Sequence, residues 1–131
     1  MAEGLVTIAS KYSVEETAAR LKAAISAHGL ELFAEIAHHK NAEEAGLVLR
    51  PETVLVFGDA KAGTPLMQAN QAVGLELPLK ALVWQDQAGK TWISYNDPVW
   101  IASRFGLPAA AVQIADKMRQ GLEGLAGKAA E

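Results

Sequence analysis

The chain has 131 residues, a net charge of −3 and no cysteine. That length fits one domain over residues 1–131, and half of its residues are hydrophobic, enough for one core. Disulfides, a thiolate nucleophile and thiolate metal ligation are excluded, and the interspersed charges form no basic patch for nucleic acid.

Leu5 to Ala9 is a short β-prone run and reads as a first strand. Ser13 to Glu16 has the form of a capping box, followed by Val14, Ala18, Leu21 and Ile25 on one helical face, with Gly29 as the stop. Leu30 to His38 alternates, with Leu32, Ala34 and Ile36 on one side and Glu31, Phe33 and Glu35 on the other. Asn41 is expected to cap a short helical turn over Ala42 to Ala45. Thr53 to Phe57 is continuous and β-branched, as a central strand is.

Thr64 and Pro65 read as an N-cap and a first helical position, opening a helix that runs to about Val73. Leu75 to Leu79 and Ala81 to Gln85 predict one strand or two, interrupted at Pro78. Gln87 to Lys90 predicts a hairpin turn, and Thr91 to Tyr95 its return strand, with Trp84 and Trp92 as cross-strand neighbours. Asp97 and Pro98 open a further helix that Gly106 ends. Pro108 starts the last helix, with Val112, Ala115, Met118, Leu122 and Leu125 on its apolar face. Gly121, Gly124 and Gly127 predict fraying after about Leu125. Local strand pairing with helices gathered on one face makes an α+β two-layer sandwich.

No apolar run approaches the ~20 residues that span a bilayer. Residues 1–8 lack a charged segment followed by a long apolar core. The expectation is a cytoplasmic protein without a membrane partner.

The ordered set Glu35-Ile-Ala-His38, Ala45-Gly-Leu-Val-Leu-Arg-Pro51, Thr53-Val-Leu-Val-Phe-Gly58, Lys61-Ala-Gly-Thr-Pro-Leu-Met-Gln68, Leu77-Pro-Leu79, Val83-Trp84 and Tyr95-Asn-Asp-Pro98 resembles the family known as domain of unknown function 302. The resemblance runs from near Lys11 to Leu107, and the helix over about 108–125 follows it. Asp59-Ala60 and Glu76 stand where that family commonly has Asn-Pro and Asp. The resemblance implies a β-α-β4-α fold, antiparallel and similar to TATA-binding-protein-like folds, and homodimers. It implies no activity.

Gly58-Asp-Ala-Lys-Ala-Gly-Thr-Pro65 lies between a central strand and a helix start, where backbone N–H groups and the helix dipole favour an anion. It is not a phosphate-binding P-loop, which needs its lysine directly before Ser or Thr. Gly58, Asp59, Lys61, Gly63 and Thr64 are therefore the candidate ligand-binding residues, with Tyr95, Asn96 and Asp97 as a polar rim. Asn96 and Asp97 also read as helix caps. His38 and His39 are read at the end of a strand, facing opposite sides, so no metal site is expected. No cofactor is expected either. Arg50 is expected to pair with Glu43, Glu44 or Asp97.

The leading expectation is a small non-catalytic binding domain, a homodimer that takes a small anionic ligand. An enzyme acting on a small anionic substrate through Asp59, Lys61 and His38 is the alternative. A protein-interaction module using a strand edge or the aromatic residues is the third reading.

Overall fold

The computed structural model describes residues 2–131. Five antiparallel strands, β1 (Leu5–Ser10), β2 (Glu31–Ala37), β3 (Glu52–Gly58), β4 (Leu79–Gln85) and β5 (Thr91–Asn96), form one sheet in the order β1-β5-β4-β3-β2. The helices are α1 (Val14–Ala27), α2 (His38–Glu44), α3 (Ala60–Ala69), α4 (Pro98–Arg104) and α5 (Ala109–Ala130), with a 3₁₀ segment at Gln71–Glu76. β1 and β2 occupy opposite edges, so α1 has to cross the sheet to join them. The expected α+β class and β-α-β4-α order are both present, with α1 and α5 covering one face.

Strand periodicity sorts β3 cleanly. Thr53, Leu55 and Phe57 are buried, while Val54 and Val56 face the uncovered side. Leu55 and Phe57 meet Val14, Leu21 and Ile25 of α1 and Leu122, Leu125 and Ala129 of α5 in one core. Leu66, Val73, Ile101, Leu107 and Ala115 form a second core among α3, the 3₁₀ segment, α4 and the first half of α5. Each fully buried Leu or Ile contributes about 1.5–3 kcal/mol. α5 is the element common to both cores.

The hairpin between β4 and β5 is held by one carboxylate. Asp86 accepts the Ala88 and Lys90 N–H groups and the Trp92 Nε1–H, each at 2.9 Å. The Trp92 hydrogen bond, followed by the Lys90 N–H, holds the Asp86 carboxyl below the usual carboxylate range. Trp84 and Trp92 are direct cross-strand partners with ring centroids 6.4 Å apart, as the hairpin reading requires.

Six local expectations are corrected. The alternation of β2 is broken by a bulge at Phe33, so Leu32 pairs with Phe57 on the covered face while Ala34 and Ile36 fall on the open one. His38 and His39 begin α2 rather than end a strand, and Asn41 lies inside that helix rather than capping it. α3 starts four residues before Thr64: Asp59 is its N-cap, and Pro65 sits inside it at the sixth position, where the Lys61 carbonyl loses an N–H donor. The helix expected to reach Val73 ends at Ala69, and Gln71–Glu76 form a 3₁₀ segment that takes in Leu75 and Glu76, expected as strand, because Asn70 accepts the Ala72 N–H and donates to the Phe105 carbonyl. Arg50 donates to the Gln85 carbonyl instead of pairing with an acid.

The sixth correction concerns α5, which continues to Ala130 without fraying, with Leu125, Ala126, Ala129 and Ala130 buried. Its last carbonyls are satisfied from outside the helix. Arg20 donates to Ala129 and Lys128, the Lys11 N–H donates to Ala130, and the Tyr12 hydroxyl donates to Glu131. The Arg20 guanidinium also lies 4.2 Å from the centroid of the Tyr12 ring.

Two outcomes follow from this packing. Arg20→Ala is expected to lower stability by about 1–2 kcal/mol, read from the urea midpoint, and to speed amide exchange in the last turn of α5. Tyr95 lies in the core, and burial, then the charges of Glu123 and Asp97, push its phenol above its ordinary value of 10.0. The folded chain therefore keeps that proton where the unfolded chain has lost it. Stability is intact below about pH 10 and falls as the pH rises further. Denaturation titrations should show that fall in the wild type and a flatter profile in Tyr95→Phe.

Candidate functional site

A cavity of about 500 Å³ opens at the seam between the two cores. Phe57, Leu122 and Leu125 line it from the sandwich core, and Met67, Leu77, Ile114 and Met118 from the helical one. Leu30 and Phe33 of the β2 segment close one side, and Pro78 and Leu79 another. Its size falls in the range usual for small-molecule sites.

Local sequence explains why the space stays open. The first turns of α3 bring only Ala60, Ala62, Gly63 and Thr64 to the wall. A methyl group added at Gly63 would approach Leu77 Cδ1 at 3.7 Å, an ordinary contact, and one added at Gly121 would meet nothing within 4 Å. Ile114, Lys117, Met118, Gly121, Leu122 and Leu125 recur at three- and four-residue spacing, which puts them on one face of α5. The bulge in β2 turns Phe33, 49% exposed, toward the rim.

Four polar side chains reach this apolar lining: His28, Asp59, Thr64 and Lys117. His28 is the C-cap of α1, with Nδ1 2.9 Å from the Ala24 carbonyl. Asp59 Oδ1 accepts the Lys61 N–H at 3.0 Å, so its carboxylate already occupies the positive end of α3. Lys117 is exposed and has no ion-pair partner among the described residues. The adjacent Asp116 is engaged by Arg119 at 2.7 Å and by Gln120 at 2.9 Å. The Arg119 hydrogen bond holds the Asp116 carboxyl below the usual range.

The eight residues marked by sequence are divided by the fold. Gly58, Asp59, Gly63 and Thr64 line the cavity. Lys61 is exposed on α3 and does not line it, and Tyr95, Asn96 and Asp97 are also absent from the wall. Tyr95 instead feels Glu123, which projects from a different face of α5 than the lining residues. Asp97 caps α4 through the Val99 N–H at 2.8 Å. Sequence reading did not mark His28, Phe33, Leu77, Ile114, Lys117 or Gly121 as site residues, and it placed Met67 only as facing a core or a pocket. A second apolar stripe on α5, through Ile114 and Gly121, was the available signal.

The proposed acid–base trio does not converge. Ala37, just before His38, pairs with Thr53 at one end of β3, whereas Asp59 follows its other end. Those ends are roughly 20 Å apart at the rise of a strand. His39 Nδ1 accepts the Glu52 N–H at 3.0 Å, a structural bond at that far end. Among the described residues, no group of three or more His, Asp or Glu is placed to hold a metal ion. Among the described residues, no helix is long and apolar enough to cross a membrane.

Comparison with known proteins adds four findings. A crystal structure of an uncharacterized conserved DUF302 protein from Bacillus stearothermophilus superposes with a TM-score of 0.87, covering 98% of this chain and 99% of that one at 22% identity. The fluoride-specific ion channel FluC 1 of Brucella suis biovar 1 is 44% identical over 104 residues, which are 79% of this chain and 41% of that protein. FluC 1 of Brucella abortus biovar 1 matches equally over 38% of its length. The chain thus spans about two fifths of the curated relatives it matches. The family described as domain of unknown function DUF302 matches residues 6–125, and with nearly the whole sheet and most of α5 inside that match, the chain belongs to it.

Proposed function

We propose that this protein is a small-molecule-binding domain whose ligand is largely apolar and occupies the seam cavity. The observation that supports this reading is a preformed cavity of about 500 Å³ with a wall of aliphatic, aromatic and glycine positions and four polar side chains. Such a wall binds by removing apolar surface from water, while a few polar groups orient the ligand. Catalysis has less support, because among the described residues no hydrogen bond links any two of the four polar side chains at the wall into a nucleophile–base pair.

Ion conduction is not carried over from the fluoride channels. The match covers about two fifths of those proteins, and among the described residues no helix is long and apolar enough to cross a membrane. A bare halide is also a poor fit to this cavity. Apolar walls offer a strongly hydrated ion nothing in place of its water.

The open sheet face supports a second, compatible reading. Val54, Val56, Leu82, Trp84 and Trp92 lie there half-buried, and Glu52 and Lys80 are the charged residues among their strand neighbours on that side. We propose that two copies pack through this face, which gives the homodimer a location. Light scattering on Val56→Lys should then show a shift from dimer to monomer, with circular dichroism unchanged.

The cavity reading is tested with N-phenyl-1-naphthylamine, an uncharged apolar probe. One probe per chain should bind the native protein with enhanced fluorescence. Gly121→Trp and, independently, Met118→Trp should weaken binding at least tenfold while the urea midpoint stays near that of the wild type. Unchanged binding in both folded variants would remove the cavity as the site.

A further inference from the structure

We infer that the ligand of this cavity is an amphiphile of alkanoate type, with an aliphatic body in the seam and a single anionic head held by Lys117. The inference rests on the cavity reading above and adds the chemical class and its orientation.

The body follows from the wall. Phe57 and Leu122 are buried at its floor, and Met67 and Met118 add flexible side chains that conform to an apolar chain. Gly121 is the notable absence. It lies within a helix at ordinary negative φ, where glycine costs about 0.5–1 kcal/mol against alanine, and nothing lies within 4 Å of the position its Cβ would take. Neither backbone geometry nor crowding demands glycine there. Its effect is to leave that stretch of the α5 wall without a side chain. Gly124, equally uncrowded, is not part of the lining, so it serves as a control for helix propensity.

The head follows from the charges at the wall. Two formally charged side chains line the cavity, Asp59 and Lys117. Asp59 is committed, since one of its oxygens caps α3 on the Lys61 N–H and its charge is partly offset by the helix dipole. Lys117 is uncommitted. It stands on the lining face of α5 one turn from Gly121, and it also borders the shallow groove of Val112, Gln113 and Gln120. Its stem can lie along the apolar rim while its ammonium stays in water, the geometry in which lysine meets the head of an amphiphile. Because Lys117 is exposed, its pairing with a carboxylate is worth up to about fivefold in affinity, and the apolar body carries most of the binding.

The test uses the full chain and displacement of N-phenyl-1-naphthylamine by hexanoate, octanoate and decanoate, and by the 1-alkanols of equal length, all below their micellar concentrations. Affinity should rise about fourfold per methylene in both series until the cavity is filled. Each carboxylate should exceed its alcohol by up to about fivefold at low salt, and the preference should vanish in concentrated salt. Lys117→Gln should abolish that preference and leave the chain-length slope intact. Asp59→Asn should enlarge it, and Gly121→Trp should flatten the slope where Gly124→Ala does not. If alcohols match carboxylates in the wild type while the slope persists, the anionic head is refuted and the cavity reading stands. If neither series shows a slope or displaces the probe, the cavity reading itself fails.

Discussion

The shared use of α5 by two cores governs the rest of the structure. Its Leu122, Leu125 and Ala129 close the sandwich core over the sheet, while Ala111 and Ala115 pack into the helical core with α3 and α4. A straight helix of 22 residues is about 33 Å long, so its ends can serve two independent packing problems. Where the two cores meet along it, neither set of side chains fills the space, and the cavity is what remains. Close packing on both sides keeps it from collapsing.

That arrangement depends on the far end of α5 staying in register. Arg20, Lys11 and Tyr12 satisfy its last carbonyls, tying the helix to α1 and to the segment after β1. The hydrogen bonds compensate for three glycines that intrinsic propensity alone would let fray. Tertiary contacts override a local preference here, and by doing so they fix the wall of the candidate site.

The sheet shows a similar division of labour. Its covered face is aliphatic and tightly packed, and its open face carries the stacked Trp84–Trp92 pair with both indole N–H groups satisfied, by Ser94 and by Asp86. The bulge at Phe33 breaks the pairing of an edge strand and points an aromatic ring at the cavity rim. The DUF302 structure from Bacillus stearothermophilus shares this architecture at 22% identity, a likeness of fold alone. The chemistry of the cavity therefore rests on this chain's own side chains.

Much of the fold was legible in the sequence because its signals are local. The α1 stripe, the β3 run, the hairpin around Gly89, the Asp97–Pro98 helix start and the α+β class all follow from periodicity and turn chemistry within a few residues. Only part of the candidate site was legible. Gly58, Asp59, Gly63 and Thr64 were marked as a loop before a helix at Thr64, and they reach the cavity wall because that helix starts at Ala60. Lys117 and Phe33 carry no local signal, and the spacing of Ile114 and Gly121 on α5 does not say what that face meets. The lining residues meet only because α5 returns across the sheet and α3 folds against it, contacts between residues far apart in the chain. Turn and helix grammar acts through neighbouring atoms and can be read from sequence, whereas a cavity is defined by what distant side chains fail to fill.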